Sequence, residues 1–519
     1  MAFFSKSVAN AIAKTTPLAA MCRVETVCRH QEKMREMTEF EQRFRIQRPT
    51  STMSEEDKRM IHESALEVLE KVGVRVHSGS ARAVLKNAGA IVDEKSPDVR
   101  FPKDLVKSLI SKAPQTVVLA GRTKEYDLPL DGTHNYYTTD GCGIAVWDSQ
   151  KSSRRKPVLE DIRRTALISD YLPYLSIYEP MVVASDLPEK VHVVHGMKVS
   201  MENTQKHLLS ESTTTVEEAK TQVKMAAEIV GGLEELRKRH YISAMLCTMS
   251  PLMLDGTATD AAMVWAENHV PVHITGMAQA GVSGPVTTAG DLVVNHAETL
   301  AVVCIMQAHS PGAPAIYGSV LSSMDPRTGS YMGGSPESTL LCSGSVQMAR
   351  YCKLPNSVGG LGSGAKVPGV QASLENMSMA MDCARIGGEV VNGMGVPAGS
   401  TLLSYEQLLL DHEIVRMAIK IFRGFDVNAD TLAVDLIKKV GIGGSYLAQM
   451  HTLKHMKDIM IPMLWDSDPY DMWVKKGSKD PMAVALEKTE WILKNHKPVP
   501  LDMSVSGKLE VLVKEFAKA

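Results

Sequence analysis

The chain has 519 residues, 44% of them hydrophobic and 22% charged, with 57 Lys and Arg against 59 Asp and Glu. This length exceeds the usual single core, so one decorated domain or two domains are expected. The near-neutral balance lacks the basic surplus of a nucleic-acid binder, and no apolar run reaches the roughly 20 residues that span a bilayer.

Residues 1–50 read as an extension. Its opening stretch, MAFFSKSVANAIAKTTPLAAMCR, is basic, poor in acids and mildly amphipathic. A transit peptide has this character, but a disordered tail, or a start assigned upstream of Met34 or Met37, is the preferred reading. Residues 51–155 read as N-terminal helices with a small β-layer. Ser54 caps a helical run that carries acids in its first turn and ends before Gly73. A second helix is expected over Ser80–Ala88, and a third starts near Phe101. Thr116–Ala120, Tyr136–Thr139 and Ile144–Asp148 are rich in strand formers and are assigned to the β-layer.

From 156 to 460, strand-like and helix-like segments alternate. The strands are expected at Leu175–Val183, His207–Glu211, Tyr241–Thr248, Val270–Thr275, Ala315–Ser319, Asn356–Gly360 and Glu389–Gly393. Helical runs lie between them at Val216–Val230, Ala258–Asn268, Ala289–Ala308, Pro336–Tyr351 and Gln371–Ile386. Such repetition points to a parallel α/β sheet, either closed as a barrel or open and doubly wound. No strand is followed by GxGxxG with an acid about 20 residues on, so a (β/α)8 TIM-type barrel is the better reading. Beyond Ser404 the pattern is helical, and residues 461–519 are expected to form a C-terminal helical cap.

Eight cysteines, Cys22, Cys28, Cys142, Cys247, Cys304, Cys342, Cys352 and Cys383, are scattered with no CxxC pair. They read as reduced thiols of a cytoplasmic protein, mostly buried as small hydrophobic groups. The 31 Met read as core filler, and many of the 37 Gly cluster between 281 and 400, as close backbone approach at a site requires. His451 and His455 share a helix face, as do His192 and His195. Neither pair has an assignable third ligand, so no metal site is expected. No GxSxG elbow supports hydrolase chemistry.

In a barrel the chemistry sits on the loops after the strands. Those loops are small, polar and glycine-rich here, leaving room for a bulky ligand. Tyr178, Tyr317, Glu179 and Glu211 offer π-faces and negative charge to a cation. A quaternary ammonium has no N–H to donate, so ring faces and carboxylates are what can hold it. Packing of the tyrosines in the barrel wall is the competing reading.

Four long blocks carry a resemblance: residues 152–176 (SSRRKPVLEDIRRTALISDYLPYLS), 281–301 (GVSGPVTTAGDLVVNHAETLA), 313–341, and 354–375 continued at 443–458. Together they span about residues 50–480, and the chain resembles the trimethylamine methyltransferase family. The resemblance implies a (β/α)8 barrel and a homo-oligomer. It also implies a methyl acceptor, the corrinoid of a cognate partner protein, with no tightly bound cofactor of the chain's own. In family members acting on trimethylamine, pyrrolysine stands in the glycine-rich loop after a late strand. The matching stretch here is Gly360-Leu361-Gly362, which the resemblance makes the catalytic segment, and it holds only standard residues.

A neutral tertiary amine is a poor methyl donor, because its leaving group would be an amide anion. A quaternary ammonium releases a neutral amine, so it needs orientation and water exclusion more than acid catalysis. A member without the special residue is therefore expected to act on glycine betaine or a similar quaternary amine. Its carboxylate would be met by His207, His273 or backbone N–H groups of the Gly360–Gly364 loop, and Asp140 and Glu337 are outlying candidates for the cation. The alternatives are a trimethylamine methyltransferase and a noncatalytic barrel that binds betaine or the corrinoid protein.

Overall fold

Eight parallel strands close into a barrel: β1 (Tyr136–Thr139), β2 (Ile177–Tyr178), β3 (His207–Ser210), β4 (Ile242–Cys247), β5 (Val272–Gly276), β6 (Ala315–Ser319), β7 (Asn356–Gly359) and β8 (Val390–Met394). A helix follows each strand: α1 (Leu159–Tyr171), α2 (His192–Asn203), α3 (Val216–Val230), α4 (Gly256–Glu267), α5 (Thr288–His309), α6 (Pro336–Tyr351), α7 (Val370–Ile386) and α8 (Tyr405–Arg423). The structure is a computed structural model. It describes residues 50–518 except 94, 142 and 212–214, together with Arg43 and Arg45. The readings made on the rest of 1–50, and on Cys22, Cys28 and Cys142, lie outside the described residues.

One assignment needs correction. Tyr136–Thr139 is not part of a side layer; it pairs in parallel with Ile177 of β2 and with Val390, Val391 and Met394 of β8, and so closes the barrel. The barrel elements therefore run from Tyr136 to Arg423 rather than from 156 to 460. The segment was misread because helix α1 lies far downstream of its strand. A hairpin of Ala145–Asp148 and Ser153–Arg155 fills the interval and made the whole region resemble an antiparallel layer.

Local signals set the helix ends. Ser54 and Asp57 form a capping box at the start of Glu55–Lys71, and Thr215 and Glu218 form another at α3. Helix α5 is buried around much of its circumference, because strands flank it on one side and helices Glu55–Lys71, Gly79–Ala88 and Lys103–Ile110 pack on the other. Among the described helices it is the one long and apolar enough to cross a bilayer, but its apolar surface is spent on this packing. The antiparallel hairpin Val117–Leu119/Leu128–Leu130 crosses the N-terminal end of the barrel, where Ala120 N–H donates to the His240 carbonyl. At the far end of the chain, Pro481–Asn495 packs on α8 and α1, and Met503–Lys518 packs on α3 and α2.

Candidate active site

The phase of β2 orients the site. Tyr178 Oη donates to the Ile162 carbonyl at 3.0 Å and lies 2.8 Å from Thr165 Oγ1, so its ring faces helix α1 outside the barrel. Side chains alternate along a strand, so Ile177 and Glu179 face the lumen. The pairing register then carries this phase around the sheet: Thr138 opposite Ile177, His207 also opposite Ile177, Met245 opposite His273, and Thr275 opposite Gly318 all point inward.

Three acids follow the ends of consecutive strands: Asp140 after β1, Glu179 after β2 and Glu211 after β3. Glu179 is 2% exposed, and its Oε2 is buried with no hydrogen-bond partner. Its carboxyl is pushed well above the usual range, first by burial and then by the charges of Asp140 and Glu211. Burial, with Glu218 nearby, raises Glu211 to about 8. A Cβ on Gly141 would lie 2.4 Å from Glu179 Oε1, so glycine there lets the loop after β1 pass over that carboxyl group without displacing it. Three more lumen-facing groups have buried polar atoms without a partner: Thr138 Oγ1, Thr275 Oγ1 and both ring nitrogens of His273. Burial lowers the His273 pKa to about 3, with His207 adding to the effect, so the ring is neutral. Native cores rarely leave so many buried polar atoms unsatisfied in one place, which marks this lumen as a ligand site.

A hairpin of Ser322–Met324 and Tyr331–Met332 borders the mouth. Tyr331 is half-buried, and its hydroxyl stays neutral because of burial and then the nearby Cys342, Asp140 and Glu375. Its ring edge lies 2.6 Å from where a Cβ on Gly333 would stand. After β7 the chain turns tightly. The N–H groups of Gly360 and Leu361 both donate to the Asn392 carbonyl at 3.0 Å. A Cβ at Gly360 would lie 2.2 Å from Val391 Cγ1, and Leu361 is fully buried. A Cβ at Gly362, in contrast, would meet only the Tyr331 hydroxyl, at 3.5 Å. Glu375 ties down the next residues by accepting from Ser363 Oγ at 2.6 Å and Gly364 N–H at 3.0 Å.

Several expected site residues stand elsewhere. Tyr178 and Tyr317 are wall residues; the Tyr317 hydroxyl meets His296 Nδ1 at 2.9 Å and Asn295 Nδ2 at 3.3 Å on α5. His207 opens β3 and so lies at the floor. Its Nδ1–H donates to the Ala120 carbonyl at 3.0 Å, and its Nε2 accepts from Ser243 Oγ at 2.8 Å. Glu337 is exposed in the first turn of α6. The N–H groups of Gly360, Leu361 and Gly364 are already engaged and cannot serve a ligand carboxylate without rearranging. Glu179, Glu211 and His273 do share the lumen, and Asp140, Thr138, Thr275 and Tyr331 join them. Asp140, an outlying candidate in the sequence, and Thr138, which the sequence did not offer, gain their places because Tyr136–Thr139 is a barrel strand. Of the histidine pairs, His451 and His455 meet Asp430 on the surface, and His192 Nδ1 caps the Glu189 carbonyl.

Residues 24–516 match the family model described as trimethylamine methyltransferase (MTTB). A trimethylamine methyltransferase MttB of Desulfitobacterium hafniense is 33% identical, covering 89% of this chain and 93% of its own. Its namesake from Methanosarcina barkeri is 34% identical, covering 88% and 94%. A glycine betaine methyltransferase of Desulfitobacterium hafniense strain Y51 is 30% identical, covering 90% and 97%.

Proposed function

The chain belongs to the trimethylamine methyltransferase family and is a methyltransferase, and on that premise we propose that it moves a methyl group from a quaternary amine, glycine betaine or a close analogue, to the cobalt of a corrinoid protein. One observation carries this reading: three acids converge at the barrel mouth, and the Glu179 carboxylate is buried there without a partner. A permanent cation supplies the charge that site lacks, and the Tyr331 ring gives it a π-face. The neutral His273 imidazole, with both nitrogens unengaged, is the donor for a betaine carboxylate lying deeper in the lumen.

The reduced cobalt supplies the nucleophile. The chain's own work is to hold the N-methyl group toward the open mouth and to exclude water. The Gly360–Gly362 turn fits this division of labour, because no acid or base projects from it. Lys366 folds back, donating from Nζ to the Gly364 carbonyl at 2.7 Å. At Gly362 an added Cβ would meet only the Tyr331 hydroxyl, at 3.5 Å, so the position has room for a longer side chain beside the rim hairpin. The acceptor and the amine come from outside, so the chain is read as holding no cofactor tightly. Strongly reducing cobalt and the free thiols among the described cysteines suit a cytoplasmic setting. A second copy of the chain is the occupant proposed for the apolar surface of the segment 424–475, where Phe425 is 83% and Leu447 86% exposed.

One observation favours a second reading. A carboxyl held near pH 8, as at Glu211, is a competent general acid, and protonation is what a tertiary amine needs in order to leave. The experiment that separates the readings adds cob(I)alamin to purified enzyme and follows its absorbance with glycine betaine, proline betaine, carnitine, choline and trimethylamine. Turnover with at least one quaternary amine is expected. His273→Leu should raise KM about 10- to 100-fold for betaines but not for choline, which has no carboxylate. Turnover of trimethylamine alone would overturn the proposal in favour of the second reading. Binding of betaine without methylation would favour a noncatalytic barrel.

A further inference from the structure

Outside the barrel, behind Tyr317, three potential ligands meet that lie far apart in sequence. His62 belongs to the N-terminal helix Glu55–Lys71, His296 to α5, and Cys352 follows α6. His62 Nδ1 stands 2.9 Å from His296 Nε2, and Cys352 Sγ stands 3.9 Å from each. We infer that His62 Nδ1, His296 Nε2 and Cys352 Sγ form a binding site for one thiophilic d10 cation of the zinc type, unrelated to the methyl-transfer site.

The distances fit. Zinc–nitrogen bonds of about 2.0–2.1 Å and zinc–sulfur bonds of about 2.3 Å in tetrahedral array place nitrogens about 3.3 Å apart and sulfur about 3.6 Å from nitrogen. The observed set reaches that arrangement through shifts of a few tenths of an ångström. The donors are of the right kind: both imidazoles are buried, and a thiolate with imidazoles selects zinc or copper(I) over the hard cations. Binding converts the Cys352 thiol to thiolate, and its proton leaves to solvent.

The surroundings complete a site. His296 Nδ1 faces the Tyr317 hydroxyl at 2.9 Å, and that contact orients the ring with Nε2 toward the other two ligands. A surface cleft of about 270 Å³, lined by His62, Tyr351, Cys352, Lys107, Lys353 and Gln115, opens onto the cluster and gives an entry path and a water for the fourth position. Lys107 is drawn aside by Glu63, at 3.3 Å. The surface group Asp430, His451 and His455 lacks these features. Its carboxylate is already taken by Lys454 at 2.5 Å, and His455 Nδ1 pairs with Asp458 at 2.8 Å. An ion at the buried cluster would join the N-terminal helix to two barrel helices and act as a structural clamp.

The test uses the full chain, stripped with chelator and titrated with Zn2+, with bound metal measured by elemental analysis. One equivalent per chain is expected. Zn2+ should also slow alkylation of Cys352, and Co2+ should produce a thiolate charge-transfer band. Cys352→Ser and His62→Ala should each weaken binding at least about 100-fold, and Tyr317→Phe about 10-fold. The double variant H451A/H455A should bind as the parent does. Failure of the parent to take up Zn2+ would overturn the assignment, as would binding that survives C352S or disappears in H451A/H455A. The alkylation arm uses unmodified protein, so it holds even if a variant misfolds.

Discussion

The two ends of the barrel bury polar groups in opposite ways. At the floor, both ring nitrogens of His207 are used, by Ala120 and Ser243, and a hairpin closes over them. Toward the mouth, Glu179, Thr138, Thr275 and His273 keep buried polar atoms with nothing to bond. Burial alone does not separate structure from function here, since His207 and His273 are equally inaccessible. Satisfaction does. A closed set of hydrogen bonds stabilises the fold, whereas open valences destabilise it and persist where a ligand completes them.

Breaking the mouth should have the largest effect. Glu179→Gln removes the partnerless carboxylate and should lower kcat/KM for the quaternary amine about 100- to 1,000-fold, as loss of a focused electrostatic contact does, while leaving the melting temperature unchanged or higher. Activity within threefold of the parent would dissolve the contrast. At the floor the outcome should invert. His207→Leu strands the Ser243 hydroxyl and the Ala120 carbonyl and should cost about 2–4 kcal/mol in urea unfolding, with KM unchanged.

The acids sharpen the comparison through pH. Below about 8, Glu211 is protonated, and a bound cation must expel that proton. Quaternary-amine affinity should therefore rise with pH through about 8, measured calorimetrically, and Glu179, whose carboxyl is also pushed well up, adds to the rise. The same raised value stabilises the unliganded fold at pH below the unfolded carboxyl's value near 4.3. That contribution is lost as pH climbs through about 8, and Glu211→Gln should make both profiles less steep. The smallest effect belongs to the hairpin at the rim. Tyr331→Leu should weaken binding of the cation about fivefold, whereas Tyr331→Phe, which keeps the ring, should bind nearly as the parent does.

Much of the fold was legible in advance. Seven of the eight strands were located, and the bounds of α3 and α6 coincide with those expected. The strand that was misassigned, Tyr136–Thr139, has four residues, all buried, and so shows no alternation from which to read a layer. The site was less legible. Glu179 and Glu211 were found because strand ends are where barrels place their chemistry. Tyr178 and Tyr317 were misjudged because a strand residue next to a lumen-facing one faces the helices instead.

Sequence by itself determined the order of strand–helix units, where helices begin and end, and the family, because capping, turn chemistry and long ordered blocks are local properties of the chain. Only the tertiary structure decided which side chains look inward. Strands as short as Ile177–Tyr178 carry too few residues to show their own phase, and a slip of one position exchanges lumen for wall, so the phase is imposed by pairing with neighbouring strands. The same holds for His62, His296 and Cys352. They are brought within bonding distance by the packing of helices 234 and 56 residues apart, and no spacing rule along the chain could have assembled them.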